Sequence, residues 1–131
     1  SIEDGLLVPV IKSANQKGLA EITNDSKELI EKARTGKLAS EEMTGGTITL
    51  SSLGKSRVEN FNPVINQPEV AILGVGTLKE VLDLKEDGTV FKKPTMTLSL
   101  SFDHRAVDGT PAAAFLNTLI DILENPKLLI L

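Results

Sequence analysis

The chain has 131 residues, 40% apolar and 24% charged, with a formal net charge of −4, a composition that fits one soluble domain able to bury a core. That charge leaves no electrostatic footprint for nucleic acid, no apolar run approaches the ~20 residues that cross a bilayer, and nothing resembles a signal peptide. Without cysteine and with one histidine, a disulfide framework, a thiolate or multi-histidine metal site and a cysteine nucleophile are excluded, and a reducing compartment fits.

The opening "SIEDGLLVPV" runs almost directly into apolar residues, so a longer parent chain is expected upstream. "GLLVPVI" (5–11) is short and β-branched with Pro9 inside it, which predicts an edge or terminal strand. From about Gly18 to Lys37 the period becomes helical. Leu19, Ile22, Leu29, Ile30 and Ala33 form the apolar stripe, and Gly36 is the expected stop. Ser40 is expected to cap a short turn over Glu41, Glu42 and Met43.

"GGTITLSS" (45–52) alternates as a strand, with Ile48 and Leu50 on one side and Thr47, Thr49 and Ser51 on the other. A polar loop follows over 53–68, at a length where loops are usually functional. "EVAILGVG" (69–76) is apolar throughout and predicts a buried strand. Residues 77–93 predict a hairpin, with Asp87-Gly88 supplying left-handed turn positions. Met96, Leu98, Leu100 and Phe102 then alternate with polar residues, and continued alternation places His104 on the apolar face and Asp103 opposite. Thr110-Pro111 predicts a helix opening by cap and first-turn proline. That helix runs to about Glu124 with Phe115, Leu116, Leu119, Ile122 and Leu123 inward, and the tail "LLIL" is expected to pack. The order of elements predicts an α+β fold in one domain over 1–131, without internal repeats.

Three residues are candidates for chemistry. His104 reads either as a core histidine satisfied by one backbone partner or as a general base kept neutral by apolar surroundings. Asp108, four residues on and ahead of Gly109, reads as a turn aspartate or as a brace for the His104 loop, with Arg105 available for pairing and otherwise solvated. Ser51, preferred over the oppositely directed Ser52, reads as an ordinary strand-end serine or as a donor to an oxyanion. A serine-nucleophile triad is disfavoured because the G-x-S-x-G elbow is absent.

"SFDHRAVDG" resembles the H-x-x-x-D-G signature of coenzyme A-dependent acyltransferases. With "DGLLVPVIKSA", "KARTGKLASEEMTGGTITLSSLG", "NFNPVINQPEVAILGVG" and "MTLSLSFDHRAVDG" in this order and spacing, the chain resembles the dihydrolipoamide acyltransferase family, the catalytic cores of 2-oxo-acid dehydrogenase complexes. The resemblance covers essentially all 131 residues and corresponds to the later part of the catalytic domain. It implies a chloramphenicol acetyltransferase-like fold, a mixed sheet with helices packed on one side. His104 would be the general base toward the thiol of coenzyme A or dihydrolipoamide, Ser51 the oxyanion donor, and Asp108 the residue holding loop and imidazole. Losing one such donor costs roughly 3 kcal/mol of barrier. Coenzyme A enters as a substrate for which no binding residue is singled out, and the lipoyl group belongs to a domain outside this chain.

Trimers with the site between subunits, larger cubic or dodecahedral particles, and the dehydrogenase and dihydrolipoamide dehydrogenase subunits are the implied partners. The cytoplasm, or the mitochondrial matrix in a eukaryote, is the implied location. "VENFNPVINQP" is nearer the pyruvate and acetoin types than the succinyl-transferring ones, which makes acetyl the expected group. One departure stands out: the loop after "SSLG", usually glycine-rich in the family, reads "KSRVEN" and brings Lys55 and Arg57. The alternatives are a non-catalytic core subunit, although such relatives tend to lose the histidine, and an inactive truncated piece. Chloramphenicol-type or peptide-condensing enzymes often double the histidine, where this chain has Asp103.

Overall fold

The computed structural model describes residues 5–129 and divides into two units, residues 1–47 and 48–131. In the first unit, helix α1 (Leu19–Arg34) ends where Gly36 takes φ 67°. The Lys37 N–H reaches back to the Lys32 carbonyl at 2.8 Å, the closure that a left-handed glycine permits. The buried stripe is narrower than expected: Leu29 is buried with Ile22 and Ala33 half-buried, while Leu19 and Ile30 are exposed. Ile30 lies one residue, about 100°, around the helix from Leu29, and so leaves the covered face.

Residues 5–11 carry a single bridge residue at Gly5 and otherwise no regular structure, instead of the expected strand. The segment is tied by the Val10 N–H to the Glu42 carbonyl at 2.7 Å. A 3₁₀ turn covers Ser40–Met43, and its cap position is Ala39, one residue before the expected Ser40. Glu42 takes over the capping by accepting from the Ala39 N–H at 2.9 Å and also pairs with Lys32 at 2.7 Å. The Lys32 bond, followed by the Ala39 N–H, holds the Glu42 carboxyl below its usual range.

The second unit carries a three-stranded mixed sheet in the order β1-β2-β5. Strand β1 (Thr49–Ser52) runs parallel to β2 (Ala71–Val75), which is antiparallel to β5 (Leu98–Phe102). Central β2 matches its apolar sequence, with Ile72, Leu73 and Gly74 buried. Thr49 and Ser51 are half-covered while Leu50 on the opposite side is 68% exposed.

Strands β3 (Lys79–Leu84) and β4 (Val90–Thr95) form the expected hairpin as a separate two-stranded sheet. Of the Asp87-Gly88 pair only Gly88 is left-handed, at φ 81°. Asp87 instead uses its carboxylate to accept from the Thr89 N–H at 2.9 Å.

Helix α2 (Gly109–Glu124) packs on β5. Its cap is Asp108, two residues before the expected Thr110, and Pro111 lies in the first turn. Ala112 is buried and Leu116, Leu119 and Ile122 are half-buried; Phe115 and Leu123, expected inward, are exposed. The helix is apolar around more than one face, so pattern alone did not select the one that meets β5. Leu128 and Leu129 of the tail are exposed in a 3₁₀ turn, and Ile130 and Leu131 lie outside the described residues.

Candidate active site

The site begins where β5 stops. The Asp103 N–H makes the last sheet-like bond, to the Val70 carbonyl at 2.8 Å. Beyond it the backbone turns, because the Ala106 and Val107 N–H groups both donate to the Asp103 carbonyl, at 2.9 and 3.0 Å. The alternation of β5 therefore ends one residue before His104. This corrects both premises of the sequence reading: the His104 side chain is 75% exposed, not on an apolar face, and no hydrogen bond to it exists among the described residues. Its ring contacts Phe102, with centroids 5.7 Å apart.

Asp108 shares the turn. Its carboxylate stands 3.8 Å from His104 Nδ1, close enough for attraction to an imidazolium and too long for a hydrogen bond. It caps α2 through its backbone carbonyl, which accepts from the Ala112 N–H at 3.2 Å, and makes no side-chain cap.

Arg105, the expected partner for such a brace, pairs with Asp103 in this structure. The Asp103 carboxylate accepts from the Arg105 backbone N–H at 3.0 Å and from the guanidinium through Nε at 3.0 Å and Nη2 at 2.6 Å. The Arg105 side-chain bond first, then its backbone N–H, holds the Asp103 carboxyl down to about 2. From sequence, Asp103 reads as a strand-end charge and Arg105 as available for pairing and otherwise solvated. The signal that could have found them is the D-x-R spacing directly after a strand, the spacing of an Asx turn.

Ser51 sits elsewhere. It pairs with Gly74 on β2, which in turn faces Ser99 on β5, whereas His104 lies past Phe102 at the other end of that strand. Two inter-strand spacings across and about five residues along put Ser51 and His104 roughly 15–20 Å apart within one chain. The single chain thus brings together His104 and Asp108 and leaves Ser51 at the far end of the sheet. Ser52 is engaged, its hydroxyl accepting from the Gly54 N–H at 3.2 Å. Ser51 makes no side-chain hydrogen bond among the described residues.

The "KSRVEN" loop is pinned beside the residues that follow β2. The Thr77 N–H donates to the Val58 carbonyl at 2.9 Å, the Thr77 hydroxyl donates to the Gly54 carbonyl at 3.3 Å, and Lys79 pairs with Glu59. A Cβ on Gly76 would fall 1.8 Å from the Glu59 carbonyl oxygen, so the absence of a side chain there is what lets the loop pass.

A mixed sheet ending in an H-x-x-x-D-G turn ahead of a helix has the chloramphenicol acetyltransferase-like form that the resemblance implies. The model of the 2-oxoacid dehydrogenases acyltransferase catalytic domain matches residues 1–131, and the chain belongs to that family. It is 47% identical over 129 residues to the dihydrolipoyllysine-residue acetyltransferase component of the pyruvate dehydrogenase complex of Staphylococcus epidermidis, covering 98% of this chain and 30% of that protein. The corresponding Staphylococcus aureus component is 46% identical over 127 residues, covering 97% of this chain and 29% of that one.

Among solved structures, a dihydrolipoamide acetyltransferase of Azotobacter vinelandii superposes with a TM-score of 0.90 at 39% identity. The cubic core of a pyruvate dehydrogenase multienzyme complex does so with a TM-score of 0.90 at 40% identity. Each is matched over 100% of this chain and 54% of the solved one. The Azotobacter study concerned a serine, a histidine and an asparagine in that enzyme's catalytic mechanism. The chain spans about 30% of the length of the curated relatives it matches.

Proposed function

We propose that this chain supplies the acyl-transfer site of a dihydrolipoamide acetyltransferase, exchanging an acetyl group between dihydrolipoamide and coenzyme A. The observation that carries this reading is the exposed turn of a chain in this family, with His104 Nδ1 facing Asp108. Nε2 is then left to face a substrate. In the reaction, Nε2 takes the proton from the coenzyme A thiol, and the thiolate attacks the carbonyl carbon of the acetyl thioester. The tetrahedral oxyanion accepts a hydrogen bond from Ser51. Collapse breaks the carbon–sulfur bond to dihydrolipoamide, and the departing thiolate recovers the proton from the imidazolium. Asp108 stands beside Nδ1, on the side of the ring away from the substrate. Free thiols titrate near ~8.5, so a placed base raises the reactive fraction at neutral pH.

The ladder separation between Ser51 and His104 supports a site completed by two copies, Ser51 of one and His104 of the next. Trimers and a larger cubic or dodecahedral particle follow as the assembly, with the dehydrogenase and dihydrolipoamide dehydrogenase subunits as its partners. Among the described residues no helix is long and apolar enough to cross a membrane, and the proposed location is the cytoplasm or, in a eukaryote, the mitochondrial matrix. The test is the full-length protein carrying His104→Ala, assayed with acetyl-CoA and dihydrolipoamide. Turnover is expected to fall at least ~100-fold while the particle still assembles; wild-type turnover refutes the mechanism. In a panel of acyl-CoAs, acetyl should be preferred.

A further inference from the structure

We propose that Asp103 and Arg105 form a clamp that positions His104 for proton transfer, acting through the backbone of the turn. Both are positioning residues, and the inference rests on the reading of His104 as the general base. The imidazole makes no hydrogen bond among the described residues: Asp108 stands 3.8 Å away and Phe102 offers only ring contact. Where the ring points is therefore decided by where the turn holds its Cα, together with that contact.

The turn hangs from one residue. Asp103 is anchored to the sheet by its own N–H on Val70, and its carbonyl collects the Ala106 and Val107 N–H groups. Its carboxylate collects the Arg105 N–H at 3.0 Å, so the residues on both sides of His104 are fixed by the same side chain. Arg105 closes the arrangement with a two-point guanidinium–carboxylate pair, whose planar fork restricts rotation as a single contact would not. The Arg105 side chain is 87% exposed, against 26% for Asp103. An ion pair so exposed adds little to folding, which leaves the geometry of the turn as what it can influence.

The experiment compares Asp103→Ala, Asp103→Asn, Arg105→Met and, in parallel, His104→Ala in the full-length assembled protein. Asp103→Ala should lower kcat about 100-fold, the effect of misplacing a catalytic group by ~1 Å. The KM for coenzyme A should stay within about twofold, since no substrate contact is removed. Asp103→Asn keeps an oxygen for the Arg105 N–H and should recover most of that loss. Arg105→Met removes an exposed side chain that the fold does not need, so it decides the matter if Asp103→Ala fails to assemble; its kcat should drop about tenfold.

Wild-type kcat in Arg105→Met and Asp103→Ala beside an inactive His104→Ala overturns the clamp alone. An active His104→Ala overturns the general-base reading itself. A rise in KM at unchanged kcat, or an Asp103→Asn no better than Asp103→Ala, also overturns the clamp.

Discussion

Asp103 and His104 are neighbours in sequence with opposite circumstances: the carboxylate is bonded from three donor atoms of Arg105, and the imidazole has no hydrogen bond among the described residues. The carboxylate also carries a pH signature. Its folded-state value of about 2 lies below the ordinary 3.8, so its contribution to the turn is complete above about pH 4 and is lost as pH falls through about 2. Urea midpoints of the wild type and Asp103→Asn, followed from pH 5 downward, should therefore differ at first by a small constant amount, solvent screening the pair, and converge below about pH 4. At Ser51 the expected change is in the transition state. Ser51→Ala should reduce kcat by about 100-fold or more with little effect on the KM for coenzyme A, and a pure KM effect would count against oxyanion donation.

At the scale of elements, β2 and the loop that crosses it behave as one unit. Gly74 lies under Phe61 and Pro63, where an added Cβ would come within 3.1–3.2 Å, and a Cβ added to Gly76 would fall 1.8 Å from the Glu59 carbonyl oxygen. The first contact can be eased by a small shift of side chains; the second requires the backbone of the loop to move. Gly76→Ala should accordingly destabilise by about 1–3 kcal/mol, and Gly74→Ala by less, as read from thermal unfolding of the assembled protein. Equal midpoints for the two variants would show that the loop is not held as described. The apolar run over 69–76 identified β2 without difficulty because a central strand is covered on both faces. The polar run over 53–68 marks the loop but not where it passes, because its contacts join residues far apart in sequence.

For the whole molecule, surface is the informative quantity. The chain exposes 10093 Å². Two separate folded bodies of the sizes of its two units would expose roughly 8,000 Å². Large apolar side chains are among what is exposed, including Leu50 on β1, Leu82 and Leu84 on β3, and Phe115 and Leu123 on α2. Taken alone, the 131-residue chain is expected to bind the dye ANS and to self-associate, while the assembled full-length protein should show neither behaviour to the same degree. Native-like, dye-silent monomers would contradict this.

The separation of Ser51 from His104 leads to a second measurement at this scale. Particles co-assembled from equal amounts of His104→Ala and Ser51→Ala chains should regain about one quarter of wild-type turnover if each site joins two copies, and none if it lies within one.

Local chemistry was legible from residue order alone. Gly36 ends α1 and Gly88 turns the hairpin because those positions need left-handed backbone, and an unbroken apolar run marks β2. H-x-x-x-D-G between a strand and a helix brings His104 and Asp108 into one turn whatever surrounds them. Which face of α2 meets β5, whether His104 is covered, and how far it lies from Ser51 were not written in any local pattern. Those follow from strand register and from the point where β5 loses its partner. Both are settled by pairing between distant segments, and a shift of one residue in either would have turned each side chain to the opposite face.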